Sequence, residues 1–531
     1  MGNSPQEFIT LKKSIMKTKI TLFLTVALLS AINLCSQTRF TIPAPAYLNE
    51  AILGDTLPNG TRADKIYVLQ RGGTYFVRGA FENLKFKLNL VAEAGTGAMP
   101  IVRADLSDAG TQNWFMIGCQ QDVSVDGIFF DAQSANEGYG PANWCFVNLG
   151  KNPNLTFRNC VFANTGQGGV GTWNAANIFT VDNCKFYNMG NITFSDQGAG
   201  RMIETRDSQI EKLIITNNTI VNSYDRLVRH RNGAGVIKNM NFSNNTIINH
   251  GGYFGFMELG NVGDTIKITN NLVINGMSFG SDQSDATRIT EFNMHTEKDA
   301  TGQNKIVWIG SVPNDSTKYI LNNNVYSVST ELAAIYTANN VNEGPIMTDF
   351  IKGKISNPTN TWVKKSISVT AAPAAMTDLV SWYYLTKKKG VTPEHDYNRM
   401  SINYMLNTLN CKYNANDAAF IGSNGKPVGD PSWGSSVINS LQNHMINKTD
   451  LDNYPNPFTD QTVLRFTLNV SSNVSIEITD VTGKQMRNEN LGRYGSGTNS
   501  VVINRNDLKS GMYFLKINTE LEHGSLILMV K

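Results

Sequence analysis

The sequence predicts an all-β protein: a right-handed parallel β-helix followed by a small C-terminal β-sandwich. The main observation is a strand pattern that recurs in LIITNNTIVNS, MNFSNNTIINH and IKITNNLVING, between residues 213 and 276. Each copy alternates apolar and polar residues, meets an Asn-Asn pair and continues with apolar residues to another Asn. Such alternation is typical of half-buried strands. Copies that cannot bury their apolar face alone must stack on one another.

The same pattern extends in both directions along the chain. It recurs in VSVDGIFFDA (123–132), LTFRNCVFAN (155–164), FTVDNCKFYN (179–188) and YILNNNVYSV (319–328). Equivalent bend positions are 24 to 52 residues apart, so strands of constant length are joined by loops of very variable length.

Stacking of the copies places like residues above like. We expect one internal stack of Phe162, Phe186, Ile220, Ile247, Val273 and Val325, and a second at the bend of Ile128, Cys160, Cys184, Asn218, Asn245, Asn271 and Asn323. A ladder of buried asparagines is stable only when each side-chain amide bonds the copies above and below it. The bend is therefore predicted to hold such a ladder.

Composition and charge limit the classes of partner. The chain has 531 residues, of which 17% are charged, and a net charge of +3. Residues 1–37 carry four Lys and one Glu, which leaves 42 basic and 42 acidic residues in the remainder. A mature chain with a net charge near zero has no overall electrostatic field that would attract nucleic acid. We therefore expect no nucleic-acid partner, and a monomer.

Cysteine usage argues against a disulfide framework. Beyond the leader the chain has five cysteines, an odd number. Cys160 and Cys184 occupy the same repeat position, so we expect two stacked buried thiols there. A disulfide between them is the alternative, and its geometry is demanding.

The N-terminus has the features of a secretory signal peptide over residues 1–37. A short basic segment is followed by the apolar run Ile20–Leu34. This run is too short to prefer spanning a bilayer permanently. Met16, directly before the basic segment, is the better candidate for the start of translation. Residues 1–15 are therefore interpreted as an extension that results from choosing a start codon too far upstream. A lipoprotein with Cys35 as the lipidated residue is the alternative.

The rest of the chain divides into five predicted segments. Residues 38–122 hold irregular strands and are expected to form the N-terminal cap and first coils; residues 123–330 are the regular coils. Residues 331–435 lose the repeat and are interpreted as the C-terminal part of the β-helix with an insertion, followed by a polar linker at 436–450. Residues 451–531 contain short strands separated by turns, which is typical of a small β-sandwich.

The last 80 residues resemble the type A C-terminal sorting domain of the type IX secretion system of Bacteroidetes. The matching features are YPNPF (454–458), VSIEITDVTGK (474–484), LKSGMYFLKI (508–517) and the terminal Lys531. The resemblance implies the secretion machinery as a partner and export across the outer membrane, with removal of the domain and then release or surface attachment. A binding β-sandwich that stays on the protein is the alternative.

The solenoid resembles the pectate-lyase-like superfamily, and within it the chondroitinase-B-like polysaccharide lyases of family 6. The local match is best over residues 204–233. An Arg-His pair supplies the catalytic arginine of that family, which implies this role for Arg229 next to His230. The resemblance implies cleavage of an acidic polysaccharide by β-elimination.

Two positions depart from the family's pattern. The family has a Lys base just before a Ser, where this chain has Arg206-Asp207-Ser208. A guanidinium group stays protonated in proteins, so Arg206 cannot replace that base directly. Where the family has calcium-binding carboxylates, this chain has Arg201 and then Glu204. No cofactor is therefore assigned with certainty; calcium is a candidate, with Asp282 and Asp285 as weak candidate ligands.

Three charged segments lie at residues 201–206, 226–231 and 256–259, and each precedes an Asn-Asn bend. They should stack as neighbouring strands of one sheet. Alternation sends Ile203, Val228 and Met257 inward, and it sends to the outer face Glu204, Arg206, Arg229, Arg231 and Glu258. Cations there would hold a uronate carboxylate, with Arg201 nearby. A base must titrate near neutrality or be a phenol. The predicted catalytic residues are Arg229, His230, Arg206 and Tyr224, with Tyr253 a weaker candidate, and the predicted binding residues are Glu204, Arg231, Glu258 and Arg201.

Other interpretations of these residues remain open. Glu and Arg on adjacent strands also form ion-pair ladders that bind no ligand. Trp144 and Trp173 are either a sugar platform or packing residues. The first hypothesis is a secreted protein that acts on an acidic polysaccharide, as a lyase if it is an enzyme; the alternative is a non-catalytic glycan-binding protein or surface adhesin. Glycoside hydrolysis is the weakest, because Glu204 and Glu258 lie two coils apart, roughly 10 Å.

Overall fold

The computed structural model describes residues 37–55, 65–78, 81–82, 84–111, 114–135, 141–190, 199–356, 360–386, 408–435, 444–445, 451–468, 472–519 and 522–531. All but the last residue of the predicted signal peptide, and most of the predicted linker, lie outside these ranges. The chain divides into two compact units, with the second beginning at residue 435 and also taking residues 414–418. Among the described residues, no helix is long and apolar enough to cross a membrane.

The first unit is a parallel β-helix, as predicted, in which successive coils add strands to three parallel sheets. The first sheet contains the strands Thr38–Ile42, Lys65–Leu69, Leu88–Ala92, Val123–Asp126, Asn154–Arg158, Ala176–Asp182, Ile210–Thr216, Ile237–Ser243, Val262–Thr269 and Lys318–Asn322. The second sheet contains Ala46–Tyr47, Thr74–Val77, Ile101–Ala104, Phe129–Ser134, Val161–Ala163, Lys185–Met189, Thr219–Ser223, Thr246–His250, Leu272–Ile274, Asn324–Ser327 and Trp362–Lys364. The third sheet contains Phe115–Cys119, Trp144–Asn148, Gly168–Thr172, Arg201–Arg206, Val228–His230, Met257–Glu258 and Ile309–Gly310.

The interior is built from stacks of like residues, because every sheet is parallel and its register places equivalent positions together. In the second sheet the stacked row is Phe130, Phe162, Phe186, Ile220, Ile247, Val273 and Tyr326. The Phe162 and Phe186 rings stack with centroids 4.9 Å apart. The predicted stack is confirmed except at its last member, where Tyr326 replaces Val325.

Asparagines form the bend between the first and second sheets. The outer residue of each pair, such as Asn217 at φ 59° and Asn244 at φ 58°, adopts the left-handed conformation that Asn tolerates better than most residues. The inner residue is buried, and its side chain donates to the next one: Asn245 Nδ2 lies 3.1 Å from Asn271 Oδ1. The predicted ladder therefore forms.

The last step of the ladder corrects the expected register. Asn271 donates to Asn324 at 2.8 Å, whereas Asn323 is the left-handed residue at φ 52°. Asn322 ends the preceding strand and pairs with Thr269. The ladder position is therefore Asn324 and not Asn323, because three consecutive asparagines in this coil fit the repeat pattern in more than one register.

Two cysteines continue the asparagine ladder at its other end. The Cys184 backbone N–H donates to the Asn218 side chain at 2.8 Å, and its sulfur accepts from the Cys160 N–H at 3.4 Å. Both cysteines are free and buried. The stacked-thiol interpretation agrees with this arrangement.

Helices and irregular chain cover parts of the solenoid. The helices are α1 (Leu48–Gly54), α2 (Ala286–Glu291), α3 (Thr330–Ala338), α4 (Asp349–Gly353) and α5 (Thr377–Thr386), with 3₁₀ turns at Ala418–Phe420 and Pro431–Trp433. The parts of the 408–435 segment that belong to the first unit, residues 408–413 and 419–434, run back over the second sheet. There the Asp430 carboxylate accepts from the Thr219 hydroxyl at 2.6 Å, and the Trp433 indole donates to the same hydroxyl at 2.7 Å.

The second unit is a small β domain, as predicted, in which the strands pair antiparallel except for His444–Met445, which pairs parallel with Glu522–Val530. One sheet holds His444–Met445, Glu522–Val530, Gly511–Asn518, Ser472–Asp480 and Gln485–Tyr494, and the other holds Leu451–Tyr454, Gln461–Leu468 and Gly497–Asn504. Buried residues of both sheets, such as Phe466 and Ile476, form one core. In the YPNPF motif, the Asn456 side chain donates to the Ile527 carbonyl at 2.7 Å and accepts from the Met529 N–H at 2.8 Å.

Candidate functional site

The candidate site lies on the outer face of the third sheet, where charged residues of three coils stand in register. Glu204 pairs with Arg229 and Arg229 with Glu258. The neighbouring row, Ile203, Val228 and Met257, is buried in the core. For Glu204, Arg229 and Glu258, alternation therefore produces the predicted row. The predicted positions of Arg206 and Arg231 do not follow from alternation, because a register shift pairs Arg206 with His230 and Arg231 follows the end of its strand.

These residues belong to a network in which four arginines share three carboxylates. Glu204 contacts Arg201 at 3.0 Å, Arg229 at 3.3 Å and Arg231 at 3.5 Å. Glu258 contacts Arg226 and lies 3.5 Å from Arg229. Asp225 contacts Arg226 at 2.9 Å and Arg201 at 3.9 Å. Within these ion pairs the arginines therefore outnumber the carboxylates by one; the carboxylate of Glu291, outside them, also acts on Arg226 and Glu258.

The network is much more buried than a surface ladder. Glu204 is 2% exposed and Glu258 is 6% exposed, and Arg226 is fully enclosed beside the Phe254 ring. Only Arg231, whose side chain is 46% exposed, reaches well into solvent. Taking charges out of water is expensive unless each is paired, so the buried members are held by their partners.

The two glutamates have pKa values moved in opposite directions. Burial opposes ionisation of Glu204, but the charges of Arg201 and Arg229 outweigh it, so its pKa is lowered. For Glu258, burial exceeds the effect of Arg226 and Arg229, and its pKa is raised. Glu204 is therefore the firmly ionised member of the pair.

Arg206 lies beside the network and next to an aromatic ring. Its guanidinium is 4.6 Å from the centre of the Trp173 ring, and its backbone has a φ of 50°. Partial burial and the like charge of Arg231 lower the pKa of Arg206. Arg206 and Arg231 thus form a cationic rim that is less tightly paired than the buried arginines.

An aromatic group continues the outer face beyond Arg206. The Trp173 ring packs against Phe115 at 5.7 Å and edge-on against Trp144 at 5.6 Å. Gly168 allows this close packing, because a Cβ there would come 2.3 Å from the Trp144 ring and the ring would have to move. Trp144 is only 1% exposed, so it packs rather than presenting a platform, whereas Trp173 and Phe115 are half-buried.

The predicted bases lie away from the outer face. His230 is buried; its Nε2 donates to the Gly235 carbonyl at 3.1 Å, so its Nδ1 accepts from the Thr205 hydroxyl at 2.8 Å. Burial lowers the pKa of His230. Tyr224 is enclosed in an aromatic cluster with Tyr253, and burial raises its pKa. Neither His230 nor Tyr224 is placed to take a proton from a ligand on this face.

The candidate calcium ligands have local roles. Asp285 accepts from the backbone N–H groups of Thr287 and Arg288 at the start of α2, and Asp282 accepts from Ser284. The Tyr383 hydroxyl lies 3.2 Å from an oxygen of each carboxylate and shares its one proton between them. In the part of the chain that the structure describes, no group of three or more His, Cys, Asp or Glu side chains could hold a metal ion.

Sequence reasoning did not assign roles to Asp225, Arg226 and Phe115. Asp225 and Arg226 are both fully buried, and together they join Arg201 to Glu258. The sequence does contain a signal for this pair. Asp225 and Arg226 directly precede the apolar residues Leu227 and Val228, in a segment that is expected to be buried. Phe115 carried no such signal, because its strand lies outside the regular repeats.

The comparisons with known proteins identify the C-terminal domain. Residues 452–531 match the family model of the secretion system C-terminal sorting domain. A search of curated proteins found no significant match to the chain. The C-terminal domain is therefore a type IX secretion sorting domain, and the protein is exported by that system to the cell surface or the extracellular space.

Proposed function

We propose that this exported β-helix binds an acidic polysaccharide along the outer face of its third sheet. The observation that carries the proposal is the charge imbalance of the network, in which four arginines share three carboxylates and Arg231 extends into solvent. A ligand carboxylate would pair with the exposed guanidinium of Arg231, which shares Glu204 with two other arginines. Guanidinium groups suit this role because they bind carboxylates with two parallel hydrogen bonds.

The buried part of the network has a positioning role in this proposal. Glu204 contacts three arginines and therefore holds Arg229 and Arg231 in one orientation before a ligand arrives. Preorganised cations lose less conformational entropy on binding than free side chains do. The rim arginines Arg206 and Arg231 would contact the ligand, and the half-buried Trp173 ring would contact an apolar sugar face beside them.

The test is retardation of the purified mature chain in gels that contain alginate, pectate, chondroitin sulfate or heparin, with dextran as a neutral control. Each of Arg231→Gln and Arg206→Gln should weaken binding by about ten-fold or more, since one charge-assisted hydrogen bond is removed. Arg158→Gln is the matched control, because Arg158 is exposed on the first sheet. Equal losses in all three variants, or no retardation by any polyanion, would contradict the proposal.

A second candidate function is cleavage of the bound polysaccharide by β-elimination. The favouring observation is that Glu204 and Glu258, on either side of Arg229, have pKa values moved apart. Acid–base pairs in enzymes are often separated in this way. Unlike His230 and Tyr224, Glu258 lies on the outer face next to Arg229. Its carboxylate would take the C5 proton of the uronate as the bond from C4 to the leaving oxygen breaks, with that oxygen protonated by solvent, and Arg229 would neutralise the substrate carboxylate.

Catalysis has a direct readout, because β-elimination leaves an unsaturated sugar that absorbs ultraviolet light. A rise in absorbance that disappears in both Glu258→Gln and Arg229→Ala would support the lyase function. A flat trace with a bound polyanion would leave the protein as a glycan-binding protein without this activity.

A further inference from the structure

The sorting domain presents an unusual concentration of exposed apolar side chains. Of the twelve exposed large hydrophobic side chains among the described residues, eight belong to this domain. Four of them form two cross-strand pairs, Met512 with Met529 and Phe514 with Ile527. They are 42–45% exposed. We call these four residues the apolar face.

The apolar face lies on the outer side of its sheet. The residues that alternate with it, Tyr513, Leu515, Leu528 and Val530, are buried in the domain core. Its border is polar, because the next cross-strand row consists of Glu477, Lys516 and Ser525. The exposed area of the four side chains is roughly 350 Å², within the size range of functional patches on soluble proteins.

Folding of the domain does not require apolar side chains at these positions. Threonine also suits an exposed strand, and it would leave no apolar surface in water. The domain has eight Lys and Arg and eight Asp and Glu over residues 452–531, so a net electrostatic field does not distinguish it. The apolar face is therefore its most distinctive feature for recognition.

The neighbouring strand edge is already occupied. The Asn456 side chain bonds the backbone of Ile527 and Met529, and the Phe458 N–H donates to the Met529 carbonyl at 2.9 Å. These bonds satisfy groups that an added strand of a partner would need. Access to this part of the sheet is therefore through its face.

The area of the apolar face indicates the kind of partner. A stable protein dimer buries about 800 Å² on each partner, more than twice the area of this face. A transient contact suits a domain that is recognised during export. We propose that the apolar face is the docking surface for the type IX secretion machinery, and that it binds a complementary apolar surface of the machinery.

The test measures export of the full chain in a bacterium that has type IX secretion. Phe514→Thr with Ile527→Thr should lower the secreted or surface fraction about ten-fold or more and retain the protein in the periplasm. Phe514→Leu with Ile527→Val keeps the surface apolar and should export normally. Lys516→Thr with Ser525→Thr alters the polar border and should also export normally.

Folding controls keep the outcome interpretable. If the first threonine pair lowers the unfolding temperature of the purified chain, Met512→Thr with Met529→Thr serves as the deciding variant. Normal export of a folded threonine pair would overturn the proposal. Two specific outcomes would also reassign the apolar face. If the folded variant is exported normally but no longer self-associates in sedimentation, the face binds a second copy of the chain. If it is exported normally but no longer binds vesicles, the face binds lipid.

Discussion

Removal of the charge at Glu204 should destabilise the protein far more than the same change at Glu258. In Glu204→Gln, the buried Arg201 loses a carboxylate at 3.0 Å and Arg229 loses one at 3.3 Å. Arg201 then keeps only the more distant Asp225 at 3.9 Å, and Arg229 keeps Glu258 at 3.5 Å. Removing one partner of a buried ion pair costs about 3–5 kcal/mol when the remaining charge is poorly compensated, and we expect a loss near the lower end of that range. In Glu258→Gln, Arg226 keeps Asp225 at 2.9 Å, so we expect a loss of about 1 kcal/mol.

The assay is urea unfolding of both variants and the wild type, followed by far-ultraviolet circular dichroism and by tryptophan fluorescence. Coincidence of the two probes is required before the midpoints are converted into free energies of unfolding. The two substitutions are isosteric, so each is the control for the other. Equal losses in the two variants, or a larger loss for Glu258→Gln, would refute the assignment of Glu204 as the firmly ionised residue.

The same pair predicts a dependence on pH. The pKa of Glu204 is lowered from 4.5, so its stabilisation is complete above that value and is lost as the pH falls through the lower folded pKa. The pKa of Glu258 is raised, so the wild type gains stability from this group as the pH falls through its folded pKa. Glu204→Gln should abolish the loss. It should reduce the gain without reversing it, because burial is the main cause of the raised pKa of Glu258 and the charge of Glu204 is a smaller one. A variant that keeps the loss of stability at low pH would contradict the structure.

Three further predictions follow from the packing of the solenoid. Asn245→Ala removes one step of the buried ladder and leaves its neighbours unsatisfied, so urea unfolding should show a loss of about 3 kcal/mol; no loss would mean that the ladder is not stabilising. Gly168→Ala forces the Trp144 ring to move, which should cost about 1–3 kcal/mol and shift the fluorescence spectrum, whereas an unchanged spectrum would contradict this contact. Cys160 and Cys184 should react with a thiol reagent only after unfolding, and resistance in the unfolded chain would indicate a disulfide.

Periodicity predicted much of the fold and part of the site because both depend on local alternation. The inward positions of Ile203 and Val228, and the row of Glu204 and Arg229, follow directly from a strand period of two. The last coil was predicted one residue out of register, because only hydrogen bonding selects Asn324 from three consecutive asparagines.

The chemistry of the candidate site depended on contacts that periodicity does not encode. Whether a ring such as His230 is enclosed depends on its hydrogen bonds to Gly235 and Thr205, which belong to different coils. The buried pair Asp225 and Arg226 lies between two strands, where alternation gives no direction. The conformation of the chain between strands determines which charged side chains are buried. It therefore also determines which arginines a ligand can reach.

The most direct test of the proposed function is a crystal structure of the mature chain with a bound uronate oligosaccharide. We expect a ligand carboxylate against Arg231 and Arg206, with a sugar ring beside Trp173 on the third sheet. A ligand bound elsewhere on the solenoid, with the outer face of the third sheet empty, would contradict the proposal.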